Sequence, residues 1–333
     1  MKFPFISVVV PTLNNEREMV KFIGSIKNQH YPKNRLEIIF ADGGSKDKTV
    51  EIAKKNKTTV IKNPYVLAEP GVYVAMNAAK GDLLMVLATD NIFYDREAFR
   101  KVAEVFENKT VYAALPKQDY SSTDNLFTKY HNTFTDPFNH FIHGYAANAR
   151  TFHKVYPIIT YNDLYDVYDF TASRVIPMIS FSQGFTLRKG YKRKKKDIFD
   201  DNSPVIDLIE SGKKIAYIHN LSLYHPTIKN LKHFIKKQRW ATQNFLERKN
   251  YGIAHRYAKL AAGQRIRIFI WPIYAFSFIL PLIRSVFGVV RDRELLWLFH
   301  PINCFICAYA NLGQVVEYGK NRVLKKTTNI LRQ

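Results

Sequence analysis

The sequence predicts an α/β fold: a mostly parallel sheet with flanking helices, followed by a C-terminal apolar helical region that associates with a membrane. Three observations carry this expectation. From residue 6 to about 115, short β-branched or apolar runs alternate with segments of helical period, the pattern of a parallel sheet covered by helices. Hydrophobic residues make up 47% of the 333, enough for a sizeable core, which excludes general disorder. Beyond residue 265 the composition turns to long uncharged apolar runs. The expected organisation is therefore one α/β unit over 1–250 and a helical, membrane-associated region over 251–333.

Ile6 to Val10 reads as the first strand, and Asn14 or Asn15 caps a helix with Met19, Phe22, Ile23 and Ile26 on one face. Leu36 to Ala41 reads as the second strand, Lys46 to Lys55 as a short helix and Thr58 to Ile61 as the third strand. A helix around Gly71 to Ala79 leads to a strand at Leu83 to Leu87, and an amphipathic helix from Arg96 to Phe106 groups Phe99, Val102, Ala103 and Phe106. Val111 to Leu115 closes this half. Residues 118 to 178, rich in Tyr, Phe, Asn, His and Asp and weak in periodicity, read as loops and short helices over the active-site face. Order returns with a strand at Ile179 to Leu187, a basic run at Lys192 to Lys196, and a helix from Ser203 to Ser211 ended by Gly212. A strand at Lys214 to Ile218 and a long helix at Leu231 to Arg248 follow.

The apolar run Ile268 to Ile283 would extend roughly 24 Å as a helix, short of the roughly 30 Å hydrocarbon core, and holds Pro272 and Pro281. The run Leu295 to Val316 is long enough to span but carries His300, Pro301, Asn303, Asn311 and Gln314. These runs predict helices that lie in or dip into the cytoplasmic leaflet, with a two-helix hairpin and a buried helical subdomain as alternatives. The two cysteines, Cys304 and Cys307, lie inside the apolar stretch, so they offer neither a disulfide framework nor a complete zinc site. The start, MKFPFISVVVPT, enters a strand at once and lacks the features of a signal peptide, which places the catalytic part on the cytoplasmic face of the cell membrane as an expectation. A net charge of +22 fits nucleic acid, anionic lipid headgroups or a phosphorylated substrate, without choosing among them.

In an open parallel sheet, ligands gather at the carboxyl ends of the strands. Pro11 to Asn15, Asp42 to Thr49 and Ala88 to Asn91 follow three predicted strands. Carboxylates there can accept from a base N–H or a ribose hydroxyl, and glycines let the backbone approach. Taken singly, each is also an ordinary strand-to-helix turn.

Together, VVVPTLNNE, ADGGSKDKT and GVYVAMNAAKGDLLMVLATDN resemble, in order and spacing, the nucleotide-binding half of family 2 glycosyltransferases, which have the Rossmann-like GT-A fold. The resemblance covers residues 5 to 115 and, less closely, 180 to 245. It implies that Pro11 and Asn14 line a uracil pocket, that Asp42 holds base or ribose, and that Asn77 and Asp82 shape the sugar-nucleotide site. It also implies an Asp-x-Asp element that clamps the diphosphate with Mg²⁺ or Mn²⁺, a task suited to a hard cation with oxygen ligands. Here Ala88 replaces the first aspartate, leaving Asp90 as metal ligand with Asn91 assisting.

FDDNSPVIDLIESGKKI resembles the family segment with an acidic pair before a helix ended by glycine. It maps the catalytic base of an inverting transfer onto Asp201, with Asp200 orienting it or binding acceptor; the alternative is that Asp200 to Ser203 cap the helix. His225, just past a late strand, is allowed a place at the metal or diphosphate, beside the more ordinary structural role of a lone histidine. Lys236 to Trp240 resembles a Q-x-x-R-W element with Lys236 in place of glutamine, which implies Arg239 at the diphosphate and Trp240 at the acceptor. The basic run at Lys192 to Lys196 would sit near the acceptor entrance or form a solvated loop.

The resulting expectation is an inverting glycosyltransferase of glycolipid biosynthesis that moves a sugar from a nucleotide-sugar, a UDP-sugar foremost, to a lipid-linked acceptor at a membrane surface with anionic lipids. One alternative is a polyprenyl-phosphate glycosyltransferase. The others are a non-enzymatic basic protein that binds membrane or nucleic acid and a catalytically dead member of the fold. No recognition module for specific nucleic acid is present in the sequence.

Overall fold

The computed structural model describes residues 3–193, 199–247, 251–252, 257 and 259–330. The first half alternates as expected: β1 (Ile6–Thr12), α1 (Glu16–Lys27), β2 (Leu36–Asp42), α2 (Thr49–Lys55), β3 (Thr59–Lys62), α3 (Ala68–Ala78), β4 (Leu83–Val86), α4 (Ala98–Val105) and β5 (Val111–Asp119). Next come α5 (Leu126–Phe134), α6 (Pro137–His143), β6 (Ile158–Tyr161), β7 (Asp166–Tyr168), β8 (Phe185–Arg188), β9 (Phe199–Asp200), α7 (Ser203–Glu210), β10 (Lys214–Tyr224), α8 (Leu231–Leu246) and β11 (Tyr251–Gly252). The chain continues in α9 (Ala262–Ser277), α10 (Ile279–Asp292) and α11 (His300–Ile330).

Nine strands form one sheet in the order β3-β2-β1-β4-β8-β5-β10-β7-β6, and β9 pairs with β11 in a second. Side chains alternate across a strand, so β1 feeds both faces. Val8 and Val10 join one buried cluster with Met19, Phe22, Ile23 and Ile26 of α1 and Phe99 and Val102 of α4. Val9 joins the other with Val72, Ala75 and Met76 of α3. Burial on both faces is why these strands read as nearly continuous apolar runs.

The pairing directions decide where the site lies. β1, β2, β3 and β4 run parallel, β8 is antiparallel to both β4 and β5, and β10 is parallel to β5. The carboxyl ends of β1, β2, β4, β5 and β10 and the amino end of β8 therefore share one edge of the sheet.

Several expectations need correction. The region 118–178 contains helices α5 and α6, started by side-chain caps from Asn125 and Asp136, but also two strands that extend the sheet beyond β10. β6 and β7 escaped the reading because they are short, four and three residues long, and the edge strand β6 is largely exposed. The strand expected from Ile179 is confined to Phe185–Arg188. Before it, Gln183 and Gly184 take φ of 54° and 84°, and a Cβ on Gly184 would lie 2.6 Å from Pro116 Cγ. A tight turn that only glycine fits at its second position thus replaces the first half of the expected strand. Of the basic run, Lys194 to Lys196 lie outside the described residues, as does Arg248 at the end of the expected long helix.

The C-terminal apolar runs are helical. α9 and α10 are bent by 90° at Phe278, whose φ is 57°. At 16 and 14 residues, they are each roughly 21–24 Å long, below the roughly 30 Å hydrocarbon thickness. Among the described residues one helix is long and apolar enough to cross a membrane, Leu295–Arg322, with a mean hydropathy of 1.4. Residues on both sides of position 250 share a core: Ile228 and Phe234 pack with Trp271, Ala275, Cys304, Cys307 and Ala308. Both cysteines are buried free thiols in that core.

Candidate active site

The loop after β4 and the end of β10 are stitched together by reciprocal backbone hydrogen bonds between Ile92 and Tyr224, 3.0 and 2.9 Å. This bridge carries His225 to Asp90: His225 Nε2 lies 3.8 Å from Asp90 Oδ2. His225 is buried while Asp90 is partly open. Burial, with a smaller contribution from the Lys237 cation, lowers the His225 pKa to about 4 against the opposing pull of Asp90, so the imidazole is neutral at physiological pH. Its Nδ1 is buried without a hydrogen-bond partner.

An imidazole nitrogen beside a carboxylate suits a divalent cation. Among the described residues no three His, Cys, Asp or Glu side chains stand together as a metal cluster. Asp90 and His225 together would suit a divalent cation such as Mg²⁺ or Mn²⁺ as a two-residue seat. Asn91 is not part of that seat. Its Oδ1 accepts from Ala88 N–H at 2.9 Å, its Nδ2 points to Asp90 Oδ1 at 3.2 Å, and it is 1% exposed. Its amide closes the turn and orients Asp90, which corrects the expectation that it assists as a ligand.

Two cavities open on this edge of the sheet, and Ser182 and Asp201 line both. The smaller, about 160 Å³, is bounded by Pro11, Glu69, Val72, Tyr73, Ala88 and Phe181. The larger, about 420 Å³, runs from Gln118, Gln183 and Lys237 to Trp271, Leu312 and Val315. Asp201 Oδ2 accepts from Ser180 Oγ at 2.5 Å, and Ser180 Oγ lies 2.8 Å from Ser182 Oγ. With its one proton given to Asp201, Ser180 must accept from Ser182. The carboxylate is held between the cavities by the Ser180 hydroxyl, which Ser182 in turn holds.

Asp200 behaves differently. It is 1% exposed, and its Oδ1 accepts from Asn202 N–H at 3.1 Å and Ser203 N–H at 2.5 Å while its Oδ2 accepts from Ser203 Oγ at 3.0 Å. Its lone pairs secure the start of α7. The helix-cap alternative accounts for these hydrogen bonds, and Asp200 also lines the smaller cavity beside Asp201.

The β1 and β2 turns clasp each other. Asn14, at φ 53°, accepts from Lys46 N–H through Oδ1 at 2.9 Å, and its own N–H donates to Ser45 Oγ at 2.9 Å. Asp42 accepts from Gly44 N–H, Ser45 N–H and Ser45 Oγ, so much of its acceptor capacity is spent on its own turn. Pro11 lines the smaller cavity. Asn77 and Asp82 do not reach it. α3 lines it from Ala68 to Tyr73, and Asn77 is exposed four residues further on, roughly 6 Å along the axis. Asp82 precedes β4, at the opposite edge of the sheet, where Oδ2 accepts from Phe5 N–H at 2.9 Å.

On α8 the side chains are phased differently from the expectation. Arg239 turns to α11, where its guanidinium donates to Gln314 at 3.1 Å and pairs with Glu317. Lys237, two residues earlier and so on another face of the helix, points into the larger cavity and donates to Thr227 Oγ1 at 2.6 Å. Burial holds its ammonium below the ordinary lysine value, with Asp90, Asp136 and Asp201 opposing. Trp240 lines the larger cavity. Sequence reasoning missed Lys237 because it matches no motif position. It missed Asp136 as well, although Asp-Pro at 136–137 is a legible helix start: Asp136 caps α6 through Asn139 N–H at 3.0 Å.

With this geometry in place, the comparisons fall into line. A model of the family described as glycosyl transferase family 2 matches residues 7–172. The chain belongs to glycosyl transferase family 2. Glycosyltransferase AglE of Haloferax volcanii is 36% identical over 77 residues, 22% of this chain and 25% of that one. A dolichyl N-acetyl-alpha-D-glucosaminyl phosphate 3-beta-D-2,3-diacetamido-2,3-dideoxy-beta-D-glucuronosyltransferase of Methanococcus voltae is 43% identical over 51 residues, 15% and 16% of the two chains. The matched segments span a quarter or less of these curated relatives. The mannosyltransferase PcManGT of Pyrobaculum calidifontis, solved with GDP-Man and Mn²⁺, superposes with a TM-score of 0.53 at 13% identity, covering 94% of this chain and 88% of that one. That likeness concerns the fold, which for this family 2 chain is GT-A.

Proposed function

We propose that this family 2 protein is an inverting glycosyltransferase that moves a sugar from a nucleoside diphosphate to a lipid-linked acceptor at the membrane. The observation that carries the reading is Asp201 at the junction of two cavities, one beside the β1 and β4 turns and the other reaching the apolar C-terminal helices. Family membership and the lipid-linked chemistry in the name of the Methanococcus relative support it.

In this reading the donor lies over the turns at Pro11, Asn14 and Asp42, with its diphosphate toward Asp90, His225 and Lys237. Arg239 is already engaged with α11, and Lys237 takes the diphosphate contact. A divalent cation held by Asp90 and His225 would neutralise charge on the departing diphosphate. The acceptor hydroxyl approaches through the larger cavity. Asp201 takes its proton as the oxygen bonds to the anomeric carbon. The bond from that carbon to the diphosphate oxygen breaks with its electron pair on the nucleoside diphosphate. Gln183, set into the cavity by its left-handed backbone, and Trp240 bind the acceptor. The basic composition and the exposed apolar helices support a reaction at the cytoplasmic face of the cell membrane.

The test is a panel of UDP- and GDP-sugars offered to detergent-solubilised full-length protein, with Mn²⁺ or with EDTA, comparing wild type, Asp90→Ala and Asp201→Ala. The expected result is metal-dependent release of one nucleotide that Asp90→Ala abolishes, and transfer that Asp201→Ala abolishes. Absence of nucleotide binding and turnover across the panel sinks the enzymatic reading. An acceptor that is itself a polyprenyl phosphate would leave transfer largely intact in Asp201→Ala, since its oxygen is already ionised.

A further inference from the structure

The larger cavity is built in two halves of opposite chemistry. At the sheet edge it holds Asp201, Lys237, Gln118 and Gln183. Away from the edge, α8, α9 and α11 line it with Phe245, Ile268, Trp271, Ala308, Leu312 and Val315. A sugar and its nucleotide need no apolar slot of this kind. The lining also does not end at the cavity. Leu312 and Val315 are 47% and 44% exposed although they line it, and they continue into an open apolar surface that includes Phe269, Ile273 and Phe305. Across the 90° bend, α10 adds Ile283, Val286, Phe287 and Val290, all exposed. Contiguous apolar exposure on this scale marks a surface that meets an apolar medium. The basic residues Arg265, Arg267 and Arg293 and, on α11, Lys320 and Arg322 border these helices, which matches anionic headgroups at the edge of such a medium.

We propose that the apolar half of this cavity is a hydrocarbon-chain subsite, open sideways between α9 and α11 to the membrane leaflet, that takes the first part of the acceptor's isoprenoid chain. The inference rests on the glycosyltransferase reading and specifies its acceptor. At about 420 Å³ the cavity is at the small end of ligand pockets, which run to roughly 1,000 Å³, so a long chain cannot be enclosed and must leave through the mouth into lipid. The headgroup end then meets Lys237 and Asp201, and the chain's direction fixes which hydroxyl faces the base. The unspannable lengths of α9 and α10 fit this role: a bent pair seated in one leaflet keeps the cavity mouth at the depth of the acyl chains.

The experiment uses full-length protein in octyl glucoside and a diazirine-bearing analogue of geranylgeranyl phosphate as the probe. Photolabelling is mapped by mass spectrometry in wild type and in Leu312→Trp and Val315→Trp, two mouth positions exposed enough to accept a larger side chain. UDP and GDP binding in Mn²⁺ is titrated in the same samples. The expected result is labelling at Ile268, Trp271, Leu312 or Val315 that falls at least tenfold in both variants, with nucleotide affinity unchanged. Labelling confined to outward residues such as Phe269, Ile273 and Phe287, or labelling indifferent to both tryptophans, overturns the subsite. If wild type is labelled in the cavity yet binds neither nucleotide, the subsite stands and the glycosyltransferase reading falls.

Discussion

Replacing Lys237 with methionine, and separately Arg239 with alanine, distinguishes a motif match from a geometric one. Methionine keeps the length of the lysine stem and removes its charge. Lys237 lies in the larger cavity and feels the carboxylates of Asp90, Asp136 and Asp201, so in the proposed reading its ammonium is the α8 cation that meets the diphosphate charge. A hydrogen bond to a charged group contributes about 1.5–3 kcal/mol, which converts to a roughly tenfold to 150-fold weaker nucleoside diphosphate in Lys237→Met. Arg239 spends its guanidinium on Gln314 and Glu317, and the ion pair is 41% and 51% exposed. An exposed pair contributes up to about 1 kcal/mol, so Arg239→Ala should lower thermal stability slightly and leave nucleotide affinity within about twofold. Isothermal titration of UDP and GDP in Mn²⁺, paired with melting curves, reads both effects. A larger affinity loss in Arg239→Ala than in Lys237→Met refutes the reasoning and restores the arginine to the diphosphate.

Three further outcomes are expected. Asp200→Ala should cost about 0.5–2 kcal/mol of stability through the lost start of α7, while Asp201→Asn should leave the melting temperature and nucleotide binding unchanged and reduce transfer by at least about a hundredfold; coupled thermal and transfer assays compare them. Gly184→Ala combines a φ of 84° with a contact of 2.6 Å to Pro116 Cγ, so chemical denaturation should show a loss of about 2–4 kcal/mol. His140 is buried in α6, and burial, aided by Arg284, lowers its pKa from 6.5 to about 4. The folded protein leaves it neutral where the unfolded chain protonates it, so stability should fall as pH drops from 6.5 towards 4, by at most about 1.4 kcal/mol per unit. Melting curves across that range should be flatter for His140→Gln, and an unchanged slope would remove His140 from the account.

What the sequence determined by itself is the part in which local pattern and burial agree. Strands β1, β2 and β4 are buried on both faces and so spell themselves as apolar runs, and the turns that follow them carry the polar residues that the sheet's carboxyl edge presents. From that, the positions of Pro11, Asp42 and Asp90 near one edge could be read without coordinates, as could Asp201 before a helix ended by Gly212. The tertiary structure decided everything that depends on direction. That Asp201 lines both cavities while Asp200 lines only the smaller is a matter of one peptide unit and of who supplies Asn202 and Ser203 with acceptors. Whether Lys237 or Arg239 points inward is set by where α11 packs on α8, some 75 residues away in the chain. Asp82 and Asn77 lay near site residues in sequence, but a strand and a helix carried them to the far edge and outer face. The larger cavity owes its apolar half to α9 and α11, whose residues read only as hydrophobic. Hydrophobicity fixes that a side chain leaves water; the packing of one helix on another fixes whether it fills a core, lines a slot or faces lipid.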